Sequence, residues 1–365
     1  MVENKSRKNL GGGERSNTVD LFKCILMIMI VAQHAIVHGM GLKNIVDNNV
    51  SRNYSLVWFV ANSFLAISVN CFFWISGYFR IRLRWKRIAE LIAETVMYIF
   101  ILNVLLLIID TSEFQIIFIL KIIKRCFCFY SEGYWFLVAY LLVSLASPYL
   151  NMVVDNLNIA EKKKLACGLF LTFSICGFLF KIEGLSNAYT VWQGIYMYML
   201  GTLVNVNFSY KGKNRKVIAI VFLMLVLFGN GIVSYFLYLR GNGNSAWRLF
   251  SYNSPILVVA AIILCNLIVN EKNIAYSFYK ISGHSLAVYL LTDYPLVRSI
   301  IFKPIFFLSE KYSSSIVLIS ILVYSTLLMI VCAEIDVVRK VMYDNTIIQL
   351  KQIWKNCDKL KLRKM

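Results

Sequence analysis

The first apolar segment of the sequence contains four ionisable residues whose spacing places them on one side of a helix. Asp20, Lys23, His34 and His38 lie in the otherwise apolar stretch VDLFKCILMIMIVAQHAIVHGM. At about 100° per residue, the other three residues fall within roughly 60° of Lys23 around a helix axis. An imidazole with an ordinary pKa of about 6.5 suits proton transfer at neutral pH. His34 is therefore the candidate general base on this stripe.

Each member of this stripe also has a structural interpretation. Lys23 can extend to the inner headgroups, and Asp20 can serve only as a first-turn charge that favours the helix dipole. His34 can act as an interhelical hydrogen-bonding group, and His38 as a structural residue near the outer face. The His-x-x-x-His spacing lacks an apparent third ligand, so no metal site is predicted.

A second group of candidates follows the second apolar segment. That segment ends VNCFFWISGYF, with Asn70 and Ser76 among apolar residues. A run of cations comes directly after it: Arg80, Arg82, Arg84, Lys86 and Arg87. Arginine binds phosphates through paired donors, so the run matches the phosphates of a nucleotide-like ligand. Anionic-lipid binding and a plain excess of positive charge on the inner side are the other two interpretations.

Polar and aromatic residues in later segments complete the candidate set. Tyr134 and Trp135 begin the fourth apolar segment, where an aromatic girdle is the structural alternative. Asp293 and Arg298 lie in the ninth segment and are expected to point into an outer vestibule.

Three acidic residues lie close to the predicted inner boundary of the membrane. Glu94, Glu334 and Asp336 are expected to reach water there. His284 starts the ninth apolar segment on the same side, and no role is predicted for it.

The apolar composition of the chain defines the elements that hold these residues. Of its 365 residues, 59% are hydrophobic and 16% charged, with a mean hydropathy of +0.66, whereas soluble chains carry about 25% charged residues. This excludes a soluble enzyme, a coiled coil and a disordered chain. About ten segments reach the roughly 20 apolar residues that span a bilayer, so an all-α, polytopic membrane fold is predicted. These segments lie near 19–39, 56–79, 89–109, 134–154, 164–181, 188–206, 216–238, 252–270, 284–305 and 315–336.

The basic residues indicate how the spans are oriented. The net charge is +19, and most Lys and Arg residues lie in short runs on one side of the predicted membrane, which the positive-inside rule makes the cytoplasmic side. Both termini are then cytoplasmic, and the charge requires no nucleic acid. The predicted organisation is a basic tail at 1–18, one transmembrane domain at 19–336 and a basic tail at 337–365. The last of these is either an amphipathic helix on the inner leaflet or a solvated tail.

At these residues the sequence resembles the membrane-bound acyltransferase 3 family, and within it the bacterial surface-polysaccharide O-acetyltransferases. RSNTVDLFKCILMIMIVAQH is similar to the start of the family, with Lys23 at the position of an arginine and His34 at that of a histidine. VNCFFWISGYF and YWFLVAYLLVSLASPYLN are similar to later family segments. Two departures stand out: Lys23 keeps the charge of arginine without its planar fork, and Thr292 replaces a family histidine. The second departure argues against a mechanism that needs two histidines.

The resemblance implies acyl transfer from a cytoplasmic acyl-CoA, most often acetyl-CoA, to a sugar hydroxyl of a surface polysaccharide or its lipid-linked precursor. The bacterial plasma membrane is the implied location, the donor is a substrate, and no tightly bound cofactor is implied. His34 would act as general base or acyl relay beside Lys23 and Asp20. The CoA-binding residues would be Arg80, Arg82, Arg84, Lys86, Arg87, Ser76 and Asn70. The residues near the acceptor or the oxyanion would be Trp135, Tyr134, His38, Asp293 and Arg298.

Two other functions fit a basic, polytopic chain. A non-enzymatic flippase for a lipid-linked sugar is the main alternative, and a glycan polymerase ranks last because the predicted loops are short. Membrane lipids are expected partners in every case.

Overall fold

The computed structural model is all-helical, with 83% helix, and it describes residues 16–46, 54–109, 116–127, 133–180, 182, 184–185, 188–204 and 213–362. Helices satisfy their backbone hydrogen bonds internally, which a lipid environment requires. The predicted all-α class is confirmed for the described residues, which contain no strand. Most of the predicted tail at 1–18 lies outside them.

Fifteen helices, numbered in chain order, make up the described part of the chain. They are α1 (Asn17–His34, continued by a π-helical turn at Ala35–Gly39), α2 (Leu56–Leu65), α3 (Ser68–Tyr78), α4 (Trp85–Ile109), α5 (Ile116–Phe127), α6 (Trp135–Asp155), α7 (Ile159–Leu169, continued through Phe170–Cys176 and Gly177–Leu179), α8 (Val191–Val204), α9 (Lys213–Leu239), α10 (Gly243–Arg248), α11 (Pro255–Val269), α12 (Tyr279–Ser282), α13 (Ser285–Thr292), α14 (Pro295–Lys311) and α15 (Ser314–Leu362).

Six of the described helical segments are long and apolar enough to cross a membrane. These are Asn17–Gly39, Leu56–Tyr78, Trp85–Ile108, Trp135–Asp155, Asn214–Leu239 and Ser314–Asn345. The number becomes seven if the bent pair α13 and α14 counts as one span. The chain is thus a multi-pass membrane protein, whereas the predicted count of about ten spans is not confirmed.

Much of the difference in count comes from segments that are apolar but short or broken. Helices α8 and α11 contain 14 and 15 residues, fewer than the roughly 20 that span a bilayer. The predicted span at 284–305 is broken in the structure, because α13 and α14 meet at an angle of 86°. Pro295 is the first residue of α14, and a proline cannot continue the preceding helix without losing a hydrogen bond and clashing with it.

The predicted boundary at 336/337 lies within a helix. Helix α15 runs without a break from Ser314 to Leu362 and therefore includes most of the predicted tail at 337–365. The position of that tail on an inner leaflet, and the cytoplasmic location of both termini, stay predictions.

A very close backbone approach in the core joins α3 to α8. A Cβ added to Gly77 would lie 1.9 Å from the carbonyl oxygen of Tyr198, and one added to Gly201 would lie 2.1 Å from that of Trp74. Small residues allow membrane helices to pack this closely. This contact fixes the end of α3, from which the cation run begins.

Replacing Gly77 by alanine is expected to lower the free energy of unfolding by at least about 1–3 kcal/mol, because the added methyl group forces α3 and α8 apart. Gly229→Ala on α9 is the matched control, since a Cβ there meets nothing within 4 Å and alanine favours a helix. Equilibrium unfolding of both variants in detergent measures the difference. Equal stability of the two variants would show that the tight crossing is not required.

Candidate active site

Helix α1 carries the polar stripe through the bundle. Ser16 caps the helix by accepting a hydrogen bond from the amide of Val19 at 3.4 Å, and the π-helical turn follows directly after His34. Asp20 is buried, and its carboxylate lies 3.6 Å from the Lys23 ammonium. The predicted neighbours Asp20 and Lys23 are therefore paired near the amino end of α1, where a carboxylate also favours the helix dipole.

A cavity of about 1360 Å³ opens at this end of α1. We call it the amino-end cavity. Its walls come from α1, α3, α4, α6, α12, α13 and α15, from the segment between α3 and α4 and from the residues between α12 and α13. It brings together six of the candidate site residues predicted from the sequence: Asp20, Lys23, Ser76, Arg80, Arg84 and Arg87. Residues that are about 60 positions apart in the chain thus line one cavity.

Only some of the cations in the run from Arg80 to Arg87 line the cavity. Arg82 and Lys86 are not among the residues that line the cavity. The Lys86 side chain is 91% exposed and lies 3.9 Å from Glu90, whereas Arg87 is about 100° further around the same helix and faces the cavity. The five predicted phosphate ligands are therefore reduced to three that line this space.

Arg80, two residues after the end of α3, has a strained backbone conformation. Its φ is +54°, in the left-handed region that costs a non-glycine residue about 1–2 kcal/mol. Its guanidinium lies 2.6 Å from the Asp155 carboxylate at the end of α6. Outliers of this kind persist where the surroundings hold them and often occur at functional sites. This turn directs the chain from α3 into the segment that brings Arg84 to the cavity.

A buried ionic cluster forms another wall of the cavity. We call it the Asp336 network; it comprises Glu94, Tyr98, His284, Asp336 and Arg339. One Asp336 oxygen lies 2.5 Å from Nδ1 of His284, and the other accepts the Tyr98 hydroxyl at 2.6 Å and the Nε–H of Arg339. Arg339 also lies 3.5 Å from Glu94. Glu94 and Asp336 line the cavity and are only 7% and 2% exposed, so they are not freely exposed acids.

Sequence reasoning missed this network, although one signal for it was present. Its members come from three helical regions, and the Tyr98 to Asp336 contact joins residues 238 positions apart. The available signal was the presence of acids within apolar helices, since ionisable groups in a membrane span are costly unless they are paired. Nothing in the sequence identifies His284 as the partner.

The other end of the stripe forms a second cluster around His34, which we call the His34 cluster. Nδ1 of His34 lies 3.6 Å from Asp293, and the same Asp293 oxygen accepts a hydrogen bond from Arg298 at 3.0 Å. The His38 ring lies 5.7 Å from that of His34. These four predicted residues thus come together, at the break between α13 and α14. His34 is not among the residues that line the amino-end cavity.

Aromatic residues lie beside the His34 cluster. The Trp135 ring stacks on Tyr252 at 5.6 Å, and its edge contacts Tyr189 at 5.2 Å. Burial raises the pKa of the Tyr252 phenol above its usual value, and the neighbouring Tyr189 and the charge of Asp293 add to the shift. Tyr252 therefore stays protonated at neutral pH as a hydrogen-bond donor.

Three further predicted residues already have protein partners. Asn70 donates to the Tyr252 carbonyl at 2.8 Å and accepts from Gln193 at 3.0 Å, away from the cavity lining. The Ser76 hydroxyl donates to the Phe72 carbonyl at 2.8 Å. The hydroxyl of Tyr134 donates to the Leu290 carbonyl at 2.7 Å and is buried. The contacts of Asn70 and Tyr134 hold helices together, and that of Ser76 lies within α3. These side chains are therefore less suited to bind a ligand than Trp135.

The described residues contain no group of three or more His, Cys, Asp or Glu side chains that could hold a metal ion. The arrangement is instead that of an acid–base site, with an imidazole near a carboxylate at one end of α1 and a basic cavity at the other. Such a combination suits a group transfer in which a charged donor binds at a distance from the reacting atoms.

Comparison with known families agrees with this chemistry. The chain belongs to the acyltransferase 3 family, whose model, an acyltransferase domain, matches residues 16–334. Membership places the protein among membrane acyltransferases and indicates acyl transfer as its reaction in general. No curated protein and no solved structure gives a significant match. The match includes all of α1 and the His34 cluster, whereas Asp336 and Arg339 lie beyond its end.

Proposed function

We propose that this protein transfers an acyl group, preferably acetyl, from acyl-CoA to a sugar hydroxyl of a bacterial surface polysaccharide or its lipid-linked precursor. The donor would enter from the cytoplasm, and the acceptor would meet it within the plasma membrane. One observation carries the proposal: a single helix, α1, connects a basic cavity at Lys23 with an imidazole beside a carboxylate at His34.

The amino-end cavity is suited to a CoA donor in size and in charge. Its volume of about 1360 Å³ exceeds that of pockets for drug-sized ligands, which is about 300–1,000 Å³. Arg80, Arg84 and Arg87 line it and offer planar donors that match phosphate oxygens. Phe72 and Phe136 supply an apolar wall along which a narrow, uncharged pantetheine arm can lie.

In this proposal, the pantetheine arm of the donor follows α1 from Lys23 towards His34. Lys23 and His34 are eleven residues apart, which is roughly 16 Å at 1.5 Å per residue. An arm that starts at the cations and follows α1 therefore brings a thioester toward the imidazole. Movement of side chains at the inner end of the cavity is needed to complete this path, since His34 does not line the cavity.

In the proposed reaction, His34 takes the proton from the acceptor hydroxyl as its oxygen attacks the thioester carbonyl. The new C–O bond forms, the C–S bond breaks, and the proton passes to the departing CoA thiolate. Asp293 lies close enough to stabilise the imidazolium, and Arg298 holds Asp293 in place. The indole N–H of Trp135 is the candidate donor to the oxyanion. A covalent acyl-imidazole on His34 gives the same products by two steps.

Replacing Lys23 by methionine is expected to raise the KM for acyl-CoA about tenfold or more, because a charge-assisted contact near the donor is lost. Lys23→Arg is the matched control; it restores the planar fork and is expected to keep the wild-type KM or lower it. Transfer of labelled acetyl from acetyl-CoA to surface glycan, measured in membrane vesicles, provides both values.

The same vesicles test the proposed function as a whole. We expect acyl transfer that depends on both acyl-CoA and glycan. Movement of a lipid-linked sugar across the vesicle membrane without acyl-CoA, together with no acyl transfer, would contradict the proposal and support a flippase.

A further inference from the structure

His284 occupies a position that the transfer mechanism above does not use. It precedes α13, lines the amino-end cavity and has a side chain that is 12% exposed. Its Nδ1 lies 2.5 Å from an Asp336 oxygen, so Nε2 is the ring nitrogen left for a ligand in the cavity. A histidine held in this way by a carboxylate has a fixed tautomer and presents Nε2 as a base.

The carboxylate partner is itself held firmly. Asp336 receives the Tyr98 hydroxyl at 2.6 Å and the Nε–H of Arg339 on its second oxygen. The Asp336 side chain is only 3% exposed. Hydrogen bonds in such a site orient the imidazole and are not readily replaced by water.

His284 cannot assist the reaction at His34 directly. Asp293 contacts His34 and is nine residues beyond His284, which corresponds to about 13 Å along the helix axis of α13. Groups that act on one carbonyl carbon lie within about 3.5 Å of the reacting atoms. The two imidazoles therefore belong to separate sites along the path of the donor.

We propose that the Asp336 network forms a second acid–base centre, in which His284 activates water to hydrolyse the thioester of an acyl-CoA held in the amino-end cavity. The identity of the thioester substrate rests on the proposed function. The hydrolytic role comes from the geometry of His284 and Asp336, which lies outside the transfer site.

The reaction balances with water as the only co-reactant. Nε2 of His284 takes a proton from water as its oxygen attacks the thioester carbonyl, and a C–O bond forms. The C–S bond then breaks, and the CoA thiolate takes the proton back from the imidazolium. The products are a carboxylic acid and free CoA, and no electron is gained or lost. Asp336 is a positioning residue in this scheme, because it acts through His284.

The test is release of free CoA from acetyl-CoA by the purified full-length protein in lipid nanodiscs without acceptor, followed by chromatography. We expect a measurable wild-type rate, and a fall in kcat of about 10²–10⁴-fold in His284→Gln with little change in KM. Asp336→Asn is expected to lower kcat by a smaller factor, because the imidazole remains but loses its fixed orientation.

Ser320→Ala is the matched control, since Ser320 lies on α15, the helix of Asp336, is not among the residues that line the cavity, and its hydroxyl donates to the Ile316 carbonyl. It is expected to keep the wild-type kcat for hydrolysis. Thermal unfolding and size-exclusion profiles of each variant show whether it is folded.

Two results would overturn the inference: no acceptor-free CoA release by the wild-type protein, or a folded His284→Gln variant with the wild-type kcat. Transfer to glycan in the same preparations separates this inference from the proposed function. Transfer without hydrolysis contradicts only the role of His284, and hydrolysis that depends on His284 without any transfer contradicts only the proposed function.

Discussion

Replacing His34 by glutamine is expected to lower acyl transfer to glycan by about 10²–10⁴-fold, the usual contribution of a general base. Glutamine retains polar atoms of similar reach but accepts no proton at neutral pH. Because His34 does not line the amino-end cavity, binding of acyl-CoA is expected to stay within about twofold of the wild type, since distant sites act nearly independently. Labelled acetyl transfer in vesicles and equilibrium binding of a non-hydrolysable acetyl-CoA analogue measure the two effects.

His38→Gln is the comparison variant for this prediction. It makes the same chemical change one helical turn away, where the ring of His38 lies 5.7 Å from that of His34. Its rate of acyl transfer is expected to fall by less than about tenfold. The change in hydrogen bonding and packing at one neighbouring residue is worth about 1 kcal/mol. A folded His34→Gln protein that acylates glycan at the wild-type rate would remove His34 from the mechanism.

Replacing Arg339 by methionine is expected to lower the free energy of unfolding by about 3–5 kcal/mol, the usual cost of removing one partner from a buried ion pair. Arg339 is the cation of the Asp336 network and contacts both Asp336 and Glu94. Without it, two carboxylates stay buried close to each other inside the bundle. Equilibrium unfolding in mixed detergent micelles measures the change.

Lys340→Met tests whether the loss of stability expected for Arg339→Met is due to the burial of Arg339. The neighbouring Lys340 is exposed on the same helix, so the same loss of a positive charge is expected to change stability by less than about 0.5 kcal/mol. A double variant, Asp336→Asn with Arg339→Met, removes one of the stranded charges and is expected to recover part of the loss. Additive effects in the double variant would show that the two residues are not coupled.

Much of the class of fold follows from composition and periodicity. Long apolar segments such as those that form α4 and α9 were predicted within a few residues, because a helix in lipid must be apolar over about 20 residues. The same criterion also predicted spans at α8 and α11, and these are not confirmed. These helices are apolar and short, and composition does not distinguish a span from an apolar helix buried inside the protein.

The break at Pro295 shows a second feature of the fold that residue types alone do not predict. A proline ends the helix before it, but its presence does not specify the 86° angle between α13 and α14. That angle places Asp293 beside His34. The contact depends on where α1 packs, which is a property of the assembled bundle.

The amino-acid order alone established that the chain crosses a membrane several times and that one stripe of α1 carries Asp20, Lys23, His34 and His38. Both features are local, since they depend on residue type and on the helical repeat. The folded bundle decided which of the cations face a common cavity, and it paired His284 with Asp336 and His34 with Asp293. Those pairings join residues far apart in the chain, and a buried charge is retained only where packing supplies its partner.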